Sequence, residues 1–343
     1  MDRKALSFLA LGTVVGCLLA AAVFVGVIRR DKAASASADG AGARTVLKFA
    51  HSLDQQHPVH AAIMFFSERV NALSAGAVQV QVFPNGQLGS EPECIEQLQR
   101  GALAMVKTSA AAMEGFVPDM AVFSFPYLFR DETHFWKVAN GDLGRELLAA
   151  GAGLGIHGLC YYEAGARSFY TVSRPILVPA DVKELKLRVQ ASKMARDLIL
   201  TLGGGPTPIP WGELYTALQQ KMVDGAENNP PSFLSSRHYE VARHLSLDEH
   251  TRVPDLVIFS QKIWDTLPAQ TRAWLDQAAA ESVVFQRKLW TEKTAEALAT
   301  VEKAGVTIYR PDQSAFAAAT APMLKEYDGT RLGELAARVR DTQ

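Results

Sequence analysis

The sequence predicts an α/β fold, and two observations carry the prediction. Strand-like and helix-like apolar patterns alternate from about Thr45 onward, and one helical pattern near the end of the chain is far longer than an ordinary domain helix. A length of 343 residues sets a soft prior of two domains, with chain enough for sizeable cores.

The elements follow in order. Residues 46–50 (VLKFA) read as a buried strand. Residues 57–73 place Ala61, Ile63, Phe65, Phe66 and Val70 at helical spacing. Residues 78–83 alternate as a second strand, which Pro84-Asn85-Gly86 turns. Residues 91–100 form a short helix that Gly101 stops. Strand patterns recur at 155–159, 168–172 and 185–189, an alternation that argues for largely parallel sheets. Residues 268–304 are continuously helical, with no proline or glycine in the interior. That is more than about 50 Å at helical rise, so this helix is expected to cross more than one lobe.

The first 44 residues read separately. Arg3 and Lys4 precede residues 5–28, a run without a charge, and a small-residue stretch follows from Ala33. The pattern is that of an export signal or an N-terminal membrane anchor, and both fates stay open. Basic residues flank both sides of the run, so charge asymmetry does not orient it. Val14-Val15-Gly16-Cys17 loosely matches a lipid-attachment motif, but its cysteine sits in mid-run.

Composition and motifs exclude several classes. Lys and Arg number 35 against 36 Asp and Glu, which removes any global electrostatic case for nucleic acid. Three cysteines cannot build a disulfide scaffold; Cys94 and Cys160 are expected to be small buried apolar residues. The glycines at 151, 153 and 155 follow a helix and lead into a strand, the reverse of a dinucleotide loop. Gly203-Gly204-Gly205-Pro206 lacks the lysine of a phosphate loop. His57 and His60 lie three apart without an obvious third metal ligand. Trp136, Trp264, Trp274 and Trp290 sit in helical apolar patterns and are assigned to the core. No nucleophile–base motif appears, so no catalytic residue, cofactor or metal is expected.

What remains is a pair of arginines in apolar surroundings, Arg167 at a strand entry and Arg188 in the strand-like run LKLRVQ. Each could be a surface residue or a structural ion pair. Near a sheet end a guanidinium is costly to desolvate unless it is paired, so two of them point to an anion, and a carboxylate fits the planar fork.

Several ordered blocks then carry a resemblance: Val82-Phe83-Pro84-Asn85-Gly86-Gln87-Leu88-Gly89, Phe125-Pro126-Tyr127-Leu128-Phe129, Lys186-Leu187-Arg188-Val189, Glu213-Leu214-Tyr215-Thr216-Ala217-Leu218-Gln219-Gln220 and Val223-Asp224-Gly225-Ala226-Glu227-Asn228-Asn229-Pro230. Over about residues 46–327 the chain resembles the DctP-type solute-binding proteins of TRAP transporters. The resemblance implies a two-lobed periplasmic binding protein with crossing hinge strands and one long helix spanning both lobes. Lobe I would comprise 45–164 with about 254–295, and lobe II 165–253 with about 296–343.

Such a receptor closes over a small organic acid and delivers it to ion-gradient-driven TRAP permease membrane subunits. The resemblance implies that Arg188 grips the ligand carboxylate, with Arg167 as a second carboxylate arginine. It also implies binding roles for Asn228, for Trp211 as a pocket wall and for Glu91 as an acceptor of sugar hydroxyls. Gln190 stands where the family often has proline. Blocks around Asn228-Asn229-Pro230-Pro231-Ser232 and Asp248–Pro254, together with His57-Pro58 and Lys107, resemble the sugar-acid branch, so glucuronate or galacturonate is the expected ligand and His57 and Lys107 join the site. For His57 a helix cap is the structural alternative, and for His250 an inter-lobe hydrogen bond is expected. The competing readings are a C4-dicarboxylate or 2-oxo acid receptor, a ligand sensor, and an exported enzyme using Lys107, His57 and Glu91 as acid and base.

Overall fold

Two mixed sheets carry the fold in the computed structural model, which describes residues 44–343. The proposed export segment and Cys17 lie outside the described residues. The first sheet has strand order β2 (Val78–Phe83), β1 (Thr45–Ala50), β3 (Met105–Ser109), β10 (Asp255–Ser260) and β4 (Ile156–Tyr162). The second has order β11 (Thr307–Tyr309), β9 (His244–Thr251), β5 (Arg167–Thr171), β8 (Gly225–Asn228), β6 (Lys186–Val189) and β7 (Gly205–Pro208). The helices run α1 (Pro58–Leu73), α2 (Glu91–Arg100), α3 (Ala110–Met113), α4 (Glu132–Asn140), α5 (Asp142–Ala149), α6 (Lys193–Thr201), α7 (Leu214–Gln219), α8 (Pro230–Ser235), α9 (Gln261–Thr266), α10 (Ala269–Lys303), α11 (Gln313–Lys325) and α12 (Arg331–Asp341).

The sheets are not largely parallel, and the departure has a simple cause. In the first sheet β10 runs against both β3 and β4; in the second β5 runs against both β8 and β9. The remaining recorded pairs, β1 with β3, β9 with β11 and β6 with β7 and β8, are parallel. β5 and β10 are the strands by which the chain passes from one sheet to the other, through the short crossovers at residues 163–166 and 252–254. A parallel connection needs a long return, usually a helix. These two links have none, so each incoming strand keeps its heading and runs against its neighbours.

The predicted helices form for the stated reasons. Pro58 opens α1 at the first turn, and Val59, Ala62, Ile63, Phe66 and Val70 make one buried face against Leu47 and Phe49 of β1. Ser90 and Glu93 close a capping box on α2, which Gly101 ends in the left-handed region at φ 79°. Cys94 and Cys160 are buried, as are Trp136, Trp264 and Trp290.

The long helix α10 has 35 residues and serves two cores. Leu275, Ala278, Ala279 and Trp290 pack with α1 and the first sheet, whereas Val301 packs with Tyr170, Phe233 and Leu245 of the second. Between Ala279 and Trp290 the fully buried Gln286 meets the first crossover. Its Oε1 accepts from the backbone N–H of Glu163 at 2.9 Å and its Nε2 donates to the Glu163 carbonyl at 2.8 Å. The Glu163 carboxylate accepts from Trp136 Nε1 and Gly165 N, both at 2.6 Å. The crossover is thus held by hydrogen bonds from both its own turn and the long helix. At the C-terminus, α12 packs beside the 3-10 turn Pro118–Ser124, and Arg331 and Arg338 both pair with Glu146 of α5. Among the described residues no helix is long and apolar enough to cross a membrane.

Candidate functional site

A cavity of about 520 Å³ opens between the two sheets. The first wall comes from the turn after β2, the start of α2, and β3 and β10. The second comes from β5, β6, the segment after β7, and the start of α8. On the first wall the chain leaves β2 through Asn85 and Gly86, both at positive φ, and reaches Gly89 at φ 121°. A β-carbon on Gly89 would stand 2.9 Å from Glu93 Oε2, so glycine lets the loop close onto the capping box. That closure sets Glu91, the first residue of α2, at the cavity edge.

Arg188 is the centre of the second wall. It lies on β6 and is 3 % exposed. Its Nε donates to the Ile209 carbonyl at 2.9 Å, and its guanidinium carbon lies 5.5 Å from the Trp211 ring centre. Among the described residues no carboxylate pairs with it, and its buried Nη1 has no hydrogen-bond partner. Burial pulls its pKa below the ordinary arginine value. A charge desolvated at this cost and left unmatched at a cavity wall can be met by an anion.

Arg167 lines the same cavity but is satisfied by the protein. It holds Glu227 through Nε and Nη2, donates Nη1 to Asn228 Oδ1 at 2.9 Å and bonds the Glu227 carbonyl at 2.9 Å. The β5–β9 pairing shifts register between Arg167 and Phe169, a bulge that aims Arg167 across β8. Burial alone would raise the Glu227 carboxyl, but Arg167 and His250 outweigh it and hold it down to about 2. His250 lies 2.8 Å from Asp248 and 3.6 Å from Glu227. Burial opposes its charge, yet those two carboxylates raise its pKa to about 9. Its side-chain bonds therefore stay within the second sheet, in place of the expected inter-lobe bond. The link between elements uses backbone: Tyr127 N donates to the His250 carbonyl at 2.9 Å.

On the first wall Lys107 of β3 is 3 % exposed and paired twice, with Asp255 at 2.9 Å and Glu91 at 3.4 Å. Asp255 stands opposite Ser109, so Lys107 and Asp255 are diagonal neighbours on one sheet face. Burial works against the ammonium, but the two carboxylates raise its pKa above the ordinary value. Asp255 is pushed up to about 6 by its own burial, against the pull of Lys107. Asn228 ends β8 and lines the cavity; its Oδ1 accepts from Arg167 and from Asn229 N, which leaves its amide N–H groups for a ligand.

His57 is the exception among the expected site residues. It does not line the cavity. Its Nδ1 accepts from Val59 N at 3.2 Å and caps α1, so its Nε2 carries the proton and donates to Ser232 Oγ at 3.0 Å. Burial keeps its pKa well below the ordinary histidine value. It is a cap that also ties α1 to α8, and Ser232, not His57, faces the cavity. Asp255 and Ser232 are cavity residues that sequence reasoning missed as site candidates. A signal for Asp255 existed: it is the one acid opening an otherwise apolar strand, residues 255–260.

A family model described as bacterial extracellular solute-binding protein, family 7, matches residues 49–330. A TRAP periplasmic solute-binding protein from Bradyrhizobium sp. BTAi1, solved with α/β-D-galacturonate, is 41 % identical; the match covers 86 % of this chain and 99 % of that one, with a TM-score of 0.84. One from Roseobacter denitrificans, solved with β-D-glucuronate, is 35 % identical, with 87 % and 100 % covered and a TM-score of 0.84. The C4-dicarboxylate-binding periplasmic protein DctP of Rhodobacter capsulatus is 34 % identical over 263 residues, 76 % of this chain and 79 % of that protein. With two sheets joined by direct strand crossovers, a long helix in both cores and matches over nearly all of the described chain, this protein belongs to family 7 of the bacterial extracellular solute-binding proteins, the TRAP transporter receptors.

Proposed function

We propose that this receptor is exported to the periplasm, takes a hexuronate such as galacturonate or glucuronate into the cavity between its sheets, and hands it to the membrane subunits of a TRAP permease. The observation that carries the ligand reading is Arg188, a buried guanidinium without a carboxylate partner, beside a cavity large enough for a sugar acid. The sugar acids bound by the similar solved proteins from Bradyrhizobium and Roseobacter support the same class.

In this reading the carboxylate sits on Arg188, Asn228 adds an amide donor, and the Trp211 face packs on the ring. Arg167 organises Asn228 directly through Nη1 and, paired with Glu227, gives little of its own charge to the ligand. Glu91 and Lys107 meet the ligand from the first wall. Residues 45–164 with 254 to about 295 act as lobe I and 165–253 with about 296–343 as lobe II; the crossovers at 163–166 and 252–254 support a division at those points. A ligand touching both walls favours closure over the open state and leaves unchanged, which separates this reading from an enzyme.

The test is a thermal-shift and calorimetric screen of residues 45–343 against hexuronates, aldonates, C4-dicarboxylates and 2-oxo acids. A ligand at 100 times its Kd stabilises by about 2.7 kcal/mol. A shift with galacturonate or glucuronate, recovered unchanged, is expected; no shift with any acid overturns the proposal.

A further inference from the structure

We infer that Glu91 and Asp255 make this cavity selective for monoanionic acids and exclude the dicarboxylic acid of the same carbon skeleton. The inference rests on the sugar-acid reading above and concerns the wall opposite Arg188. The argument is one of charge placement. The cations lining the cavity are Arg188, Arg167 and Lys107. Arg167 is neutralised by Glu227. Lys107 is shared by two carboxylates, Asp255 at 2.9 Å and Glu91 at 3.4 Å, so that group carries one net negative charge when all three are ionised. The other ionisable lining residues, Glu93 and Glu213, are also acids. The cavity is therefore polarised: on the second wall the buried Arg188 is unmatched while Glu213 is exposed to solvent, and on the first wall stands a net negative cluster.

An acid with one carboxylate fits that polarity. Its carboxylate meets Arg188, and its hydroxyl groups donate to the carboxylates of Glu91 and Asp255. A second carboxylate placed at the first wall meets two like charges instead, and juxtaposed like charges strongly disfavour a partner. The ammonium that could hold it, Lys107, is already engaged. Glu91 and Asp255 thus act twice: they accept hydroxyls, and they keep Lys107 from serving as a second carboxylate anchor.

The test compares galacturonate with galactarate, and glucuronate with glucarate, by calorimetry on the full-length protein. In the unmodified protein each diacid is expected to bind at least about hundredfold more weakly than its uronate. In Glu91→Gln/Asp255→Asn the Lys107 ammonium is released, and the diacid-to-uronate affinity ratio is expected to rise at least about thirtyfold. Because the double variant leaves a buried ammonium unpaired, Asp255→Asn alone serves as the milder variant, with Glu91 still beside Lys107. It should move the ratio the same way by a smaller factor. Diacid affinities within about tenfold of the uronates in the unmodified protein overturn the inference while leaving the receptor reading intact. An unchanged ratio in folded variants overturns it as well. Failure of both uronates to bind overturns the sugar-acid reading together with it.

Discussion

Replacing Arg188 with Met should weaken ligand binding and strengthen the empty protein at the same time. The guanidinium is buried with one hydrogen bond, to Ile209, and no counter-ion. Its removal forfeits that bond, worth about 1.5–3 kcal/mol for a charged donor, and contact with the Trp211 face, worth about 0.5–2 kcal/mol. Against this stands relief of an unpaired buried charge, several kcal/mol after relaxation. The methionine chain keeps most of the apolar contact, so the net effect on the empty protein is a gain of about 1–2 kcal/mol, a Tm rise of a few degrees. Ligand binding moves the other way. Two charge-assisted hydrogen bonds to a carboxylate are lost, about 3–6 kcal/mol in all, so affinity falls at least about hundredfold. The assay is thermal unfolding of both proteins with and without galacturonate, plus calorimetry. A fall in the Tm of the empty variant would refute the claim that the charge is uncompensated. Affinity within about tenfold of the parent would refute the carboxylate assignment.

Glu227→Gln leaves Arg167 buried without its counter-ion and should cost about 3–5 kcal/mol, read as a lower urea midpoint. Stability should also depend on pH through the same cluster. Glu227 is held down to about 2, so its contribution is present above pH 4.5 and lost as pH falls through about 2. His250 is raised to about 9, so its contribution is full below pH 6.5 and lost as pH rises through about 9. Denaturant titrations should show stability falling between pH 6.5 and 9 in the parent and a flatter profile in His250→Asn. Gln286→Ala strips both partners from the buried Glu163 backbone and should cost about 2–4 kcal/mol, measured by chemical denaturation. Gly225→Ala would set a β-carbon 2.4 Å from the Tyr170 carbonyl, inside the β5–β8 ladder. It should destabilise the fold by more than about 3 kcal/mol, with a matching drop in Tm.

The elements were legible wherever periodicity and end signals coincided. The residues 91–100 helix is found in full because its capping box and its glycine stop are both local features. The reach of α10 into two cores followed from length alone. Strand direction was not legible, because alternation of strands and helices says nothing about a strand that enters from another sheet. The absence of any helix between β9 and β10 was the available clue. In the site, six of the seven expected residues line one cavity, and His57 does not. Their division of labour was out of reach. Arg167 and Arg188 look alike as residues in apolar strands, and only the pairing of Glu227 with one of them separates a satisfied charge from an unmatched one. That pairing spans some 60 residues of chain, beyond any local pattern.

The central position of β10 has a consequence for the order in which this protein can become itself. It lies between β3 and β4, yet it is made long after both, and five of the six strands of the second sheet stand between β4 and β10 in the chain. As the polypeptide emerges from the ribosome, β3 and β4 have no direct neighbour in common, and the first sheet stays open down its middle. Arg167 and Glu227 can find one another earlier than Lys107 can find Asp255. The binding cavity is therefore among the last features to assemble. Most of the chain must be synthesised before either wall is complete, because the first wall waits for Asp255 and the second for Ser232.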